Sequence, residues 1–136
     1  MLRGLTTVSF WADDVEEASR WYAEVLGVEA YFRRRGPDGR LAYAEFRLGD
    51  HRHELGFIDR RHAPHPAAEP AGAVVYWHVD DVAASLGRLL SMGAKLHGAV
   101  TERGPGFVTA SVTDPFGNIL GIMYNAHYLE MLEGRG

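Results

Sequence analysis

The strongest constraint on the fold is an internal repeat. A shift of 67 residues lays Val8 on Val75, Phe10 on Trp77, Asp13-Asp14-Val15 on Asp80-Asp81-Val82 and Glu54 on Gly121. Gly27 meets Gly93 at a shift of 66, so a small insertion or deletion separates the copies. The match is one of pattern more than identity, as expected of a duplicated supersecondary unit. A chain of 136 residues has the usual size of one domain with a real core, so each copy is a small module of that domain.

Each copy reads as strand, helix, three strands. Residues 6–12 alternate, with Val8, Phe10 and Ala12 on one face and Thr7, Ser9 and Trp11 on the other. Asp14 has the character of an N-cap, with Glu17 three residues on completing a capping box. The helix that follows carries Val15, Ala18, Trp21, Tyr22 and Val25 at helical spacing and stops at Leu26-Gly27. Strands are expected over 28–35, 41–48 and 53–58, separated by turns at Gly36-Pro37-Asp38-Gly39 and Gly49-Asp50. Residues 62–71 hold three prolines and no periodicity, the composition of a linker.

The second copy has a strand over 74–79, Asp81 as N-cap, and a helix over 82–92 that carries Leu86, Leu89 and Leu90 and closes at Gly93. Its remaining strands are expected over 96–100, 107–113 and 119–124, with turns at 104–106 and 114–118. A short helix is expected over 126–132. The expected organisation is a first module over 1–61, a linker over 62–71, a second module over 72–124 and a helical tail over 125–136.

One face of every strand is apolar: Val8/Phe10, Ala44/Phe46/Leu48, Leu55/Phe57, Val75/Trp77/Val79, Val108/Ala110/Val112 and Leu120/Ile122. That face should pack on the helix of its module, because an apolar helix stripe needs a sheet to bury it. The opposite face collects Thr7, Ser9, Trp11, Tyr43, Glu45, Glu54, Tyr76, His78, Phe107, Thr109, Ser111 and Met123. Rings mixed with polar groups on the second face of a sheet are the lining of a ligand pocket. Glu45 beside Glu54 would make such a pocket acidic and favour a cationic ligand.

Composition excludes several classes. The net charge is -4 and the one dense basic run, Arg33-Arg34-Arg35, is answered by acids elsewhere, so no nucleic-acid partner is expected. There is no cysteine, which removes disulfides and thiolate ligands or nucleophiles. No apolar run approaches the roughly 20 residues that span a bilayer, so neither a membrane nor a signal segment is expected, and the cytoplasm is the default compartment.

The sequence resembles the vicinal oxygen chelate superfamily, which includes glyoxalase I, bleomycin-resistance proteins and extradiol dioxygenases. The residues that carry the resemblance are those of 8–22, Val25-Leu26-Gly27, His78-Val79-Asp80-Asp81-Val82, Gly93-Ala94 and, above all, Asp114-Pro115-Phe116-Gly117-Asn118. The resemblance implies an α+β fold of tandem βαβββ modules that form a U-shaped, cupped mixed sheet with helices on the outer face. It also implies a homodimer, and a small-molecule ligand in the cup between the modules. Exposed apolar residues near the C-terminus (Tyr124, Tyr128, Leu129, Met131 and Leu132) fit a dimer as well.

Many members of that superfamily hold a divalent metal at four positions, early in the first strand and in the last strand of each module. Carried over, those positions hold Thr7, Glu54, Val74 and Gly121. Val74 and Gly121 have no side-chain donor, and a Zn, Ni or Fe site needs about three protein ligands. The expectation is therefore a metal-independent protein with no cofactor, binding a small, partly aromatic molecule. The alternative is a lyase, isomerase or dioxygenase with a divalent metal (Zn, Ni, Mn or Fe) held off-pattern by Glu54, His78 and one more donor, or with Glu54 and His78 as catalytic acid and base. Among the other histidines, His51 and His53 share one strand face opposite Glu54, while His62 and His65 fall in the linker and His127 in the tail.

Overall fold

The computed structural model describes residues 1–63, 70 and 72–134. It divides into two compact units between residues 67 and 68. The first unit contains β1 (Thr7–Ala12), α1 (Val15–Leu26), β2 (Phe32–Arg35), β3 (Leu41–Leu48), β4 (His53–Asp59) and a 3-10 turn (Arg60–His62). The second contains β5 (Tyr76–His78), α2 (Val82–Ser91), β6 (Lys95–Gly104), β7 (Phe107–Thr113), β8 (Ile119–Asn125) and α3 (Ala126–Glu133).

The repeat read from the sequence reappears as topology. The two four-stranded sheets have orders β1-β4-β3-β2 and β5-β8-β7-β6. In each, the first strand of the module runs parallel to the last, and the other pairings are antiparallel. A parallel partner cannot be reached by a hairpin, so the helix serves as part of the crossover between them. Both helices start on the expected aspartates: Asp14 accepts the Glu17 N–H and Asp81 the Ala84 N–H, each at 3.0 Å. α1 ends where Gly27 turns left-handed at φ 71°, a conformation a side chain would resist.

Burial follows the alternation in β1, whereas β7 and β8 each bury four consecutive residues, Thr109–Val112 and Ile119–Ile122. In the first unit Phe10, Tyr22, Phe46 and Phe57 form one ring cluster, with Tyr22 and Phe57 centroids 4.4 Å apart. Val8, Ala44 and Leu55 complete that side of the sheet, and Val15 and Ala18 of α1 close it. The second unit buries Val82 and Leu89 of α2 with Ala110, Val112, Leu120 and Ile122. Leu90, read as part of the apolar stripe of α2, is exposed instead.

Several boundaries differ from the sequence reading. β2 begins at Phe32 rather than at 28, because the chain leaving Gly27 first meets β3 when the Tyr31 N–H donates to the Glu45 carbonyl at 2.9 Å. β5 is confined to Tyr76–His78 by its short register with β8. β6 runs from Lys95 to Gly104, longer than 96–100, because it follows β7 through three register shifts. Those irregularities break the two-residue period and hide the strand from pattern reading. His62 belongs to the 3-10 turn, while residues 64–69 and 71, with His65 and most of the expected linker, lie outside the described residues.

The turn over 114–118 is built around one carboxylate. Asp114 is buried, and its Oδ1 accepts the backbone N–H groups of Phe116 at 2.9 Å and Asn118 at 2.8 Å. Its Oδ2 accepts from the Asn118 side-chain amide at 3.0 Å, and Gly117 supplies the left-handed residue at φ 92°. Losing a buried charged acceptor strands these donors, so Asp114→Ala should cost about 2–4 kcal/mol. Urea unfolding checks this, and a loss below 1 kcal/mol at unchanged slope would contradict it.

Candidate functional site

The register of the first sheet sets three rows of side chains on the face opposite α1. Thr7, Glu54 and Arg47 stand side by side; next come Ser9, Gly56, Glu45 and Phe32; then Trp11, Ile58, Tyr43 and Arg34. Gly56 leaves the middle row low. A Cβ there would lie 2.6 Å from the Tyr43 hydroxyl, so the missing side chain is what lets the Tyr43 ring lean across the sheet.

The leaning ring completes a network. The Tyr43 hydroxyl donates to Glu45 Oε1 and the Tyr31 hydroxyl to Glu45 Oε2. The Tyr31 hydroxyl also lies 3.2 Å from Glu54 Oε1. Glu54 Oε2 accepts from Thr7 Oγ1 at 3.1 Å, and Arg47 Nη2 reaches Glu54 Oε1 at 3.4 Å. The Arg47 guanidinium also stands 4.4 Å above the centre of the Tyr31 ring, within cation–π range. Each carboxylate oxygen thus faces a donor, and the rings of Tyr31 and Phe32 remain exposed beside the network.

Two carboxylates so close cannot both hold their charge freely. Partial burial pushes the Glu45 carboxyl above its ordinary value, helped by the charge of Glu54 and a hydrogen bond with it, while Arg47 pulls it back. Burial likewise raises the Tyr43 phenol, again with Glu54 acting in the same direction. Because the folded state holds the Glu45 proton more tightly than the unfolded chain, the associated stability is complete below the ordinary carboxyl range and lost as pH rises through the raised value. Glu45→Gln should flatten this loss, leaving the variant relatively more stable at pH 7 than at pH 4. Urea melts across that range are the check; a variant that becomes relatively less stable towards pH 7 would contradict the sign.

The expected site residues of the second unit are arranged differently. Tyr76 and Phe107 are about 40 % exposed, but Thr109 and Ser111 are buried rather than open. Thr109 accepts from Arg103 Nε at 3.1 Å, and the Ser111 hydroxyl lies 2.9 Å from His97 Nδ1. Met123 Sδ faces the Asn125 amide at 3.7 Å. The ring of His78 is engaged by the start of α3: Nδ1 accepts the Asn125 backbone N–H at 3.2 Å and the ring stacks on Tyr128 at 4.7 Å. Asp80 Oδ1 lies 3.5 Å from its buried Nε2, which makes no hydrogen bond. Of the apolar tail residues, Met131 is exposed, whereas Tyr124, Tyr128, Leu129 and Leu132 are half-buried.

Thr7, Ser9, Trp11, Tyr43, Glu45 and Glu54 therefore share one face as read from the sequence. Tyr31 and Arg47 were missed. Arg47 follows Glu45 by two residues in an alternating strand and was within reach of the pattern. Tyr31 stands just before its strand, where alternation does not specify direction. A separate cavity of about 320 Å³ is lined by Gly36, Pro37, Asp38, Ala42, Arg61 and His62. Its arginine is tied to Asp59 at 3.0 Å and Asp38 at 3.6 Å.

The positions carried over as metal ligands from the resemblance divide between the two units, Thr7 and Glu54 in the first and Val74 and Gly121 in the second. Thr7 and Glu54 are hydrogen-bonded to each other, and Val74 offers no donor. At Gly121 even a Cβ would lie 2.7 Å from both Tyr76 Cδ1 and the Val75 carbonyl oxygen, so a ligating side chain has no room without moving β5. Among the described residues, no group of three or more His, Asp or Glu side chains is arranged to hold a metal. Gly121→Ala should accordingly cost about 1–3 kcal/mol through overpacking, measured by thermal or urea unfolding. A neutral result would contradict the close approach.

The family model for the Glyoxalase/Bleomycin resistance protein/Dioxygenase superfamily matches residues 4–122. The chain belongs to that superfamily. A search of curated proteins gives no match. Among solved structures the chain is similar to a glyoxalase-related enzyme from Fulvimarina pelagi, with 20% identity, TM-score 0.71, and coverage of 92% of this chain and 90% of that one. It is also similar to TnmS3, an antibiotic binding protein from Streptomyces sp. CB03234, at 23% identity and TM-score 0.64 over 89% of this chain and 94% of that one. A bleomycin resistance determinant encoded on the transposon Tn5 matches at 23% identity and TM-score 0.61, over 90% of this chain and 98% of that one. At these identities the likeness establishes the fold. Among the described residues no helix is long and apolar enough to cross a membrane.

Proposed function

We propose that this chain is a metal-independent binding member of its superfamily, holding a small, partly aromatic molecule against the open sheet face of its first module. One observation carries the reading: Trp11, Tyr31 and Tyr43 stand beside a network of hydroxyls and carboxylates on a face not covered by the module's own helix. Rings give a ligand apolar area with little loss of side-chain freedom, and a few fixed polar groups orient it. The crowding at Gly121 and the missing donor at Val74 support recognition without a metal. Two similar structures, TnmS3 and the Tn5 determinant, carry binding or resistance descriptions, so this scaffold is compatible with such a role.

The same reading includes a homodimer, favoured by the exposed Leu96, Val100 and Met131 of the second unit. Native mass spectrometry of freshly purified protein, before and after dialysis against Zn, Ni, Mn, Fe and Co salts, tests all three parts. The expected species is a dimer without stoichiometric metal that retains a small organic molecule, lost on Tyr31→Phe combined with Tyr43→Phe. One metal per chain, abolished by Glu54→Ala, would overturn metal independence. A monomer at micromolar concentration would overturn the dimer, and retention unaffected by the tyrosine substitutions would overturn the site.

A further inference from the structure

Arg47 makes the contacts that an external cation would make. Its guanidinium stands over the Tyr31 ring at 4.4 Å and reaches Glu54 Oε1 at 3.4 Å. We propose that this is the recognition position of a cationic group on an aromatic ligand, an amidinium, guanidinium or ammonium, and that Arg47 is its internal competitor, setting specificity by having to be displaced. The inference rests on the reading of this face as a ligand site.

Three features support displacement rather than a fixed structural pair. The Arg47 side chain is 45% exposed, against 23% for Glu54, so the arginine can swing into water while the carboxylate stays in the face. Its ion pair is long and single, a geometry that contributes little at a surface. Glu54 remains placed when Arg47 leaves, because the Thr7 hydroxyl donates to its Oε2 at 3.1 Å, on the oxygen that Arg47 does not use. The vacated position offers a carboxylate oxygen and the face of an electron-rich ring together, the combination that binds planar cations in preference to neutral isosteres. A neutral aromatic molecule can use the rings without competing for this position.

Arg34 provides an internal control. It carries the same charge on the same face, but its guanidinium lies over Phe32 at 5.6 Å. Removing it changes the local charge equally without vacating the position on Glu54.

The test is an NMR-monitored titration of the full chain with benzamidinium and its neutral isostere benzamide, for wild type, Arg47→Ala and Arg34→Ala. Arg47→Ala should bind benzamidinium about tenfold more tightly than wild type, equivalent to about 1.4 kcal/mol. Benzamide affinity should change less than twofold, and Arg34→Ala should resemble wild type with both probes. The largest amide shifts should fall on Tyr31, Glu45 and Glu54. Unchanged or weaker benzamidinium binding in Arg47→Ala, equal tightening for both probes, or equal tightening in Arg34→Ala would overturn the competitor role while leaving the site reading intact. Failure of both probes to shift this face in any of the three proteins at millimolar concentration would overturn the site reading and the inference together.

Discussion

The parallel pairing of the first and last strands within each module is the constraint on which the rest depends. It places Thr7 beside Glu54, residues 47 positions apart in the chain, and so creates the polar row from which the first-module network grows. The same pairing in the second module brings Gly121 beside Tyr76 and Met123 beside His78. Without it, each module would be a helix and a three-stranded meander, and the rows of the first sheet would lose Thr7, Ser9 and Trp11. The helix makes the parallel pairing possible and then seals one side of the sheet, leaving chemistry to the other.

Duplication gives the two modules the same topology but not the same surface. In the first, a glycine in the middle row lets a tyrosine lean inward and reach a carboxylate. In the second, a glycine one row away is covered by a tyrosine from the neighbouring strand, and the hydroxyls of Thr109 and Ser111 are engaged by β6. Glycine thus serves ring placement in both, yet one arrangement gathers donors and acceptors and the other closes over them. Position 54 in the first module and position 121 in the second express this divergence most directly, since one retains a carboxylate and the other retains no side chain.

Alternation made most of the fold legible. The apolar faces, both aspartate caps, the left-handed stop at Gly27 and the turn at 114–118 around the buried Asp114 are local, and local chemistry writes itself into sequence. β6 was harder, because its register shifts interrupt the period that reveals a strand. The site was legible where it followed strand alternation, at Thr7, Glu45 and Glu54, and illegible where a side chain enters from outside the ladder, as Tyr31 does. His78 shows the other limit. Alternation gives its face, but the ring's partners come from Asn125 and Tyr128, and no periodicity links a strand residue to a helix that starts 48 residues later.

The tyrosine that roofs Gly121 also limits which substitutions β8 can accept. Any side chain introduced at that position would collide with an aromatic ring and a main-chain oxygen. A side chain at position 121 therefore requires an accommodating change in β5 as well as in β8. Position 54 of the first unit is under no such restriction, since a full glutamate side chain already stands in the matching place beside Thr7.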